Sequence, residues 1–392
     1  MPVKDEIFAE RENLIQLRRW FHMHPEPALE EAKTCQKIAE ELGKLGIAYE
    51  YIAETAIAAK IVGKKSSSSK VVALRSDIDA LKMDDLKDVS YKSKHAGLCH
   101  ACGHDAHTAT LLVAAKILKA KEYEFSGEIR LFFQPAEEIG GGAHFFVEKG
   151  LLKDVDRVFS AHVSSGIESG KVAITPGSVQ ASCDYFKVDI KGLGAHVAQP
   201  ERSIDALYIA SQMVVNLQTI VSRNTAALES AIVGVGVLNA GTQYNIVAEH
   251  ALLEGTTRAF TPEIREFTNK RTTEIVDQTA KLFGGEAIIA WRDQAPPVIN
   301  DDEVAKEAGE IAKLIYGEEN VITNQQKQLG ADDYALMMNE VKGVYAYIGT
   351  KNENDPNTTV AHHHGLFDID EEALLASTQL YVDFALFQLE SL

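Results

Sequence analysis

The sequence predicts an α/β chain: one larger domain, a mixed sheet flanked by helices, interrupted by an inserted α+β domain of ferredoxin-like pattern. Three observations predict it. Up to about residue 180, helix and strand patterns alternate. Across 181–292 the order becomes β-α-β-β-α-β, and after Gln294-Ala-Pro-Pro-Val298, which reads as a return linker, the alternation resumes. A length of 392 residues also exceeds what one hydrophobic core usually fills. Residues 1–180 and 293–392 are therefore expected to form one domain, with 181–292 inserted into it.

In chain order, residues 5–20 and 30–45 carry helical periodicity. Val71–Ser76 and Glu128–Phe133 are apolar runs of buried strands, and the Lys-Lys-Ser-Ser-Ser-Ser-Lys tract at 64–70 reads as an exposed hairpin tip. Thr108–Ala120 reads as a buried helix, with Asp105 as its N-cap and His107 in its first turn. The inserted domain is expected as strand Tyr185–Ile190, helix Ser203–Val221, strand Ala231–Leu238, strand Val247–Thr257, helix Pro262–Leu282 and strand Ala287–Trp291.

Composition excludes several classes of function. No apolar stretch approaches the roughly 20 residues of a membrane span. The start, Met-Pro-Val-Lys-Asp-Glu, lacks the basic and apolar regions of a signal peptide. Four cysteines give no disulfide framework and suggest a reducing cytoplasm. A formal net charge of −18 argues against nucleic acid and anionic lipid as partners.

The densest chemistry lies at residues 100–107, His-Ala-Cys-Gly-His-Asp-Ala-His. Thiolate and imidazole are the ligands that zinc and other borderline divalent metals prefer. Cys102 and His104 are two apart, so an extended backbone points both to one side. Cys99 and Cys102 also form a Cys-x-x-Cys, which admits a redox pair or simply a packed small residue at Cys99.

Further ligand types follow apolar strands. Asp77 and Asp79 close one, Glu137 and Glu138 emerge after Pro135 breaks another, and His162 follows Val155–Ala161. In open α/β sheets, ligands bind beyond the carboxyl ends of strands. A hydrolytic metal site needs one carboxylate on the metal and another, unligated, as proton acceptor, a division that adjacent glutamates can make. His362-His363-His364 adds imidazole near the end of the chain.

Arg-Ser-Asp-Ile-Asp-Ala-Leu, His-Ala-Cys-Gly-His-Asp-Ala-His, Phe-Gln-Pro-Ala-Glu-Glu, a lone strand-end His, Gly-Ala-His and a terminal His-His-Gly-Leu-Phe occur in that order between Arg75 and Phe367, within a likeness that runs from Leu17 through Phe367. In this the chain resembles the aminoacylase and hippurate-hydrolase branch of the co-catalytic, carboxypeptidase G-like metallopeptidases. N-acetyl-diaminopimelate deacetylases and plant auxin-conjugate hydrolases belong to the same branch. The resemblance implies a catalytic domain holding two divalent ions (zinc, manganese, cobalt or nickel) and an inserted lid that dimerises. The metal ligands it implies are Cys102, His104, Glu138, His162 and His363, with Glu137 as general base and Asp79 beside the metals. On the lid, His196 matches the residue that polarises the scissile carbonyl, and Asn245 and Arg258 match those that bind the substrate carboxylate. Its pattern departs at Lys82-Met83, where Pro-Ile is usual, at Cys99, where Met is common, and at Gly365, where Pro is common.

The expected activity is hydrolysis of the amide bond in N-acyl amino acids or similar small conjugates, by a cytoplasmic homodimer or larger homo-oligomer. A dipeptidase or aminopeptidase using the same site is one alternative. A metal- or ligand-binding protein without turnover is another, against which an intact Glu137 speaks.

Overall fold

The computed structural model describes residues 4–391. It divides into two compact units. One comprises the chain up to Val179, Ile299–Gln326 and the chain from Asp333 onward; the other comprises Gln180–Val298 and Lys327–Asp332. Among the described residues, no helix is long and apolar enough to cross a membrane.

The first unit is built on an eight-stranded mixed sheet. Its strands lie in the order Ala48–Ala53, Ala56–Val62, Glu128–Gln134, Val71–Asp77, Arg157–Glu168, Gly343–Lys351, Val172–Ala173 and Val321–Ile322. The central four, from Glu128–Gln134 to Gly343–Lys351, are parallel. Val71–Asp77 is buried at every position, as a strand between parallel neighbours must be. Helix His104–Ala120 is buried along nearly its whole length and packs against helices Arg11–Met23 and Ala373–Ser391.

Four local expectations are corrected. The 64–70 tract is exposed but is no hairpin tip, because Glu128–Gln134 lies between Ala56–Val62 and Val71–Asp77 in the sheet. The first helix breaks at Ala9–Glu10 and restarts over Arg11–Met23. Asp105 is not an N-cap: helix His104–Ala120 starts after Gly103, and the Asp105 side chain turns inward. His162 lies inside strand Arg157–Glu168, yet that strand pairs with Val71–Asp77 only as far as Ser160, so on that side His162 stands beyond the ladder.

In the second unit, the antiparallel sheet runs Glu286–Ala295, Cys183–Lys191, His250–Ala259, Ala231–Ala240. With helices Ala206–Thr219 and Pro262–Leu282 this is the ferredoxin-like order. Phe186, Val188, Ile190 and Leu253 from the strands meet Ile209, Met213 and Val276 from the helices in its core. Asp205 caps the first helix through Leu207 and Tyr208 N–H, and Thr261 caps the second through Ile264 N–H. Part of the expected return linker is strand, since Ala295 still pairs with Cys183.

One ion network ties the first unit together. Arg18, buried on helix Arg11–Met23, reaches Asp368 at 2.7 Å and Glu371 at 3.2 Å. Its Nε stands 3.0 Å from Asp105, close enough for the charges to pair although not aligned as a hydrogen bond. His22 links Asp105 (2.6 Å) to Asp85 (3.2 Å), and Lys87 closes on Asp85 at 3.0 Å. Burial opposes charge on Asp105 and Asp368, but Arg18 above all outweighs it, and both carboxyls lie below their usual range. Carboxyls depressed in the folded state stabilise it above their unfolded value near ~3.9 and lose that contribution as pH falls further. Removing one partner of a buried pair strands the other charge, at a cost of roughly 3–5 kcal/mol. Urea unfolding of Arg18→Met should show a loss of that size at neutral pH and a shallower further loss below about pH 4 than wild type. Equal stability across that range would show that the network contributes nothing.

Candidate metal centre

At the carboxyl edge of the parallel strands the chain leaves the sheet through Ile78 and the buried Asp79. Asp79 accepts from two successive backbone donors, Glu137 N–H on Oδ1 and Glu138 N–H on Oδ2, each at 3.1 Å. It thereby fixes the 3-10 turn Glu137–Ile139 that presents both glutamates. His104 Nδ1 lies 2.9 Å from the Asp79 carbonyl and 3.2 Å from its Oδ1, which orients the ring with Nε2 toward the glutamates. Such a partner on the far nitrogen is the usual support of a metal-binding imidazole.

Cys102, His104 and Glu138 each offer a ligand atom, all within 4.8 Å of one another. His104 Nε2 is 3.8 Å from Glu137 Oε2 and 3.9 Å from Glu138 Oε1. His162 Nε2 faces Cys102 Sγ at 3.4 Å while its Nδ1 meets the Val163 carbonyl at 2.7 Å. His363 Nε2 lies 3.3 Å from Glu138 Oε2. The structure thus brings together Asp79, Cys102, His104, Glu137, Glu138, His162 and His363.

Electrostatics at this cluster favour an added cation. Burial works against charge on His104, but Asp77, Asp79 and Glu138 outweigh it and push the imidazole up to about 10. Burial, then the charges of Glu138 and Glu137, hold the Cys102 thiol well above its usual range. Burial, then neighbouring His107, keep His162 well below the usual imidazole range. His104 Nε2 and Glu138 Oε1 are buried without a hydrogen-bond partner. Unpaired buried polar atoms are costly, so a donor set of thiol, imidazole and carboxylate with open valences fits a borderline divalent metal.

His107 and Asp77 lie in the same neighbourhood but are otherwise engaged. Val163 N–H donates to His107 Nε2 at 2.9 Å, which leaves Nδ1 as the donor to Asp77 at 2.6 Å. With both nitrogens occupied, His107 braces the strand beside His162 rather than offering a ligand. Asp77 also pairs with Arg75 at 2.9 Å. Arg75 Nε donates to Gln134, whose amide donates to Asp333, and Asp333 accepts from Gly142 and Ala143 N–H. Asp333 was missed by the sequence reading, and the only local signal for this brace was polar residues inside apolar strands, Arg75 and Gln134.

Backbone geometry explains the glycines here. Gly103 has φ +96°, and a Cβ on it would sit 2.3 Å from Val163 Cγ2. It lets Cys102 and His104 approach the strand that carries His162. At Gly365 a Cβ would meet the Asp84 carbonyl at 2.4 Å, while Leu86 N–H donates to the Gly365 carbonyl at 2.8 Å. That close approach accounts for glycine where the resembling family favours proline. His363 itself adopts φ +63°, held by its N–H to the Ala101 carbonyl at 2.8 Å.

Cys99 and Cys102 do not pair. Cys99 is fully buried beside Lys87, 4.0 Å away, and burial pushes its thiol up to about 12. An apolar, protonated thiol is unreactive. His22, Asp85 and Cys99 also cluster, but the Lys87 ammonium already supplies their cation.

The other three expected site residues belong to the second unit. His196 bridges to Ile246, and Val197 N–H donates to the Asn245 carbonyl at 3.1 Å, so His196 and Asn245 are neighbours. Arg258, on strand His250–Ala259, has a buried Nη1 without a hydrogen-bond partner.

The family model for peptidase family M20/M25/M40 matches residues 73–386. N-acetyl-L-cysteine deacetylase of Bacillus subtilis (strain 168) is 38% identical over 373 residues, 94% of this chain and 86% of that protein. Hippurate hydrolase of Campylobacter jejuni (serotype O:2) is 34% identical over 374 residues, 95% of each chain. The crystal structure of the Bacillus subtilis YXEP protein, described as a dinuclear metal binding peptidase, superposes with a TM-score of 0.84 at 31% identity, covering 98% of this chain and 100% of that one. The chain belongs to peptidase family M20/M25/M40 and is, with it, a hydrolase of amide bonds.

Proposed function

We propose that this protein is a metal-dependent amidohydrolase that cleaves the acyl–nitrogen bond of N-acyl amino acids or similar small conjugates. The observation that carries the reading is the division of labour between adjacent glutamates. Glu138 lies in the thiol and imidazole cluster, and Glu137 stands beside it on the same Asp79-held turn. The names of the deacetylase and hippurate hydrolase relatives support the substrate class.

Cys102, His104, Glu138, His162 and His363 would hold two divalent ions, of which zinc, manganese, cobalt and nickel suit the donor set. Bound there, the ions supply positive charge that acidifies water and polarises a carbonyl. Glu137 accepts the proton of the attacking water and returns it to the leaving amine nitrogen. Asp79 keeps Glu137 and His104 in place. His196 hydrogen-bonds the carbonyl oxygen as negative charge develops on it. Arg258 and Asn245 bind the substrate carboxylate, a role consistent with the unpaired Nη1.

The second unit, 181–292 in the main, acts as lid and dimerisation element of a cytoplasmic homodimer. Its edge strand Ala231–Ala240 exposes Ile232, Val237 and Leu238, and exposed apolar edge strands commonly find a partner. Sedimentation at micromolar concentration should give a dimer, which Val237→Lys with Leu238→Lys converts to monomer; a wild-type monomer would refute this.

Glu137→Gln should lower kcat by about 10²–10⁴-fold with metal content intact, whereas Glu138→Gln should lose metal. Elemental analysis alongside the kinetics separates the roles, and equal metal loss in both variants, or an active Glu137→Gln, would show the assigned roles to be wrong. For an N-acyl amino acid against its C-terminal amide, kcat/KM should differ roughly ten- to a hundredfold, the worth of a charge-assisted hydrogen bond. Dipeptides hydrolysed faster than every N-acyl amino acid would favour a peptidase instead.

A further inference from the structure

Among the described residues, three other than glycine adopt left-handed backbone: Leu29, Ala136 and His363, with φ of 66°, 54° and 63°. Such conformations persist only where their surroundings hold them, and they collect at functional sites. His363 is a proposed ligand. Leu29 stands two residues before Glu31, and Ala136 meets the Glu31 side chain.

Glu31 directly precedes helix Ala32–Lys44 but does not cap it. Its side chain turns into the interior and is fully buried. Ala136 N–H donates to Glu31 Oε1 at 2.9 Å. Three successive amides are therefore gripped by two carboxyls: Ala136 by Glu31, Glu137 and Glu138 by Asp79. The Ala136 carbonyl accepts from Gly141 N–H at 2.9 Å, so the turn is closed on that side by backbone. Glu31 is the side chain that anchors the N–H side of Ala136, and without it the entry into the turn would lose that anchor and shift the two glutamates that follow. Reactive groups must be held to within about 0.5 Å to work.

We infer that Glu31 is a positioning residue, which acts through Ala136 N–H to complete with Asp79 a clamp that aims Glu137 and Glu138. The inference rests on the reading of those two residues as base and ligand. What the clamp requires of residue 31 is an acceptor at the right reach, not a charge. A single backbone N–H, that of Ala136, is what Oε1 receives, and burial, then the charge of Asp79, push the Glu31 carboxyl up to about 7.

Reach and charge are separable by substitution. Glu31→Gln keeps the reach and loses the charge; Glu31→Asp keeps the charge and withdraws the acceptor; Glu31→Met fills the space without an acceptor. Each variant would be measured for zinc affinity by competition with a chromogenic chelator, for kcat and KM on an N-acetyl amino acid, and for the melting temperature of the metal-free protein. Glu31→Asp and Glu31→Met should bind zinc about 10–100-fold more weakly, as for loss of a residue supporting a ligand, with lowered kcat and little change in KM. Glu31→Gln should stay close to wild type. Either acceptor-less variant, if it folds, decides the matter. Wild-type zinc affinity in Glu31→Asp or Glu31→Met, or a fall in Glu31→Gln as deep as theirs, would overturn the clamp. Should wild type hydrolyse no N-acyl amino acid, the proposed function fails, while the zinc titration still judges Glu31.

Discussion

Buried negative charge at the ends of the parallel strands is the constraint on which the rest of the first unit depends. Asp77 and Asp79 lie inside the protein, and Glu137 and Glu138 are nearly enclosed. Taking a carboxylate from water costs several kcal/mol unless cations or donors compensate it. The chain compensates most of these groups with its own atoms. Asp77 takes Arg75 and His107, and Asp79 takes two backbone amides and His104. Glu138 keeps an open oxygen and His104 an open nitrogen, side by side. Once the internal partners are assigned, the remaining demand is for positive charge at one place.

Strain is concentrated around that place. Left-handed backbone at a residue with a side chain costs on the order of 1–3 kcal/mol, and the chain accepts it at Ala136 and His363, each within two residues of a carboxylate or imidazole of the cluster. Both are held by named hydrogen bonds, Ala136 to Glu31 and His363 to Ala101. Gly103, by contrast, takes its positive φ without a Cβ, where Val163 leaves no room for one. The loops that carry the donor atoms are therefore tied down in the backbone as well as in the side chains.

What was legible in the sequence was local. Alternating apolar runs placed Val71–Asp77, Glu128–Gln134 and the six elements of the second unit within a few residues of their bounds. Ligand density marked residues 100–107, and motif order marked Glu137, Glu138, His162 and His363 as neighbours, which the fold makes them. What was not legible depends on partners far away in the chain. Asp105 has the position of an N-cap, yet it serves Arg18 and His22, more than 80 residues earlier. Glu31 looks like any helix-start glutamate until Ala136 is found against it. The tract 64–70 looks like a hairpin because sequence neighbours usually pair, and only the insertion of Glu128–Gln134 between its flanks shows otherwise.

His104 and Asp105 are adjacent, and they turn to opposite sides of the helix start with opposite electrostatic outcomes. Asp105 enters a network whose cations, Arg18, Lys87 and their partners, are covalently part of the chain. His104 enters a cluster whose carboxylates outnumber its fixed cations, and Asp77, Asp79 and Glu138 push its imidazole up to about 10 against the opposing effect of burial. Ligation requires the neutral imidazole and the thiolate, so an ion held there by His104 and Cys102 would take the place of their protons. Coulombic attraction to the same carboxylates favours both occupants, and a divalent ion exceeds a proton in charge and in the number of donors it can satisfy.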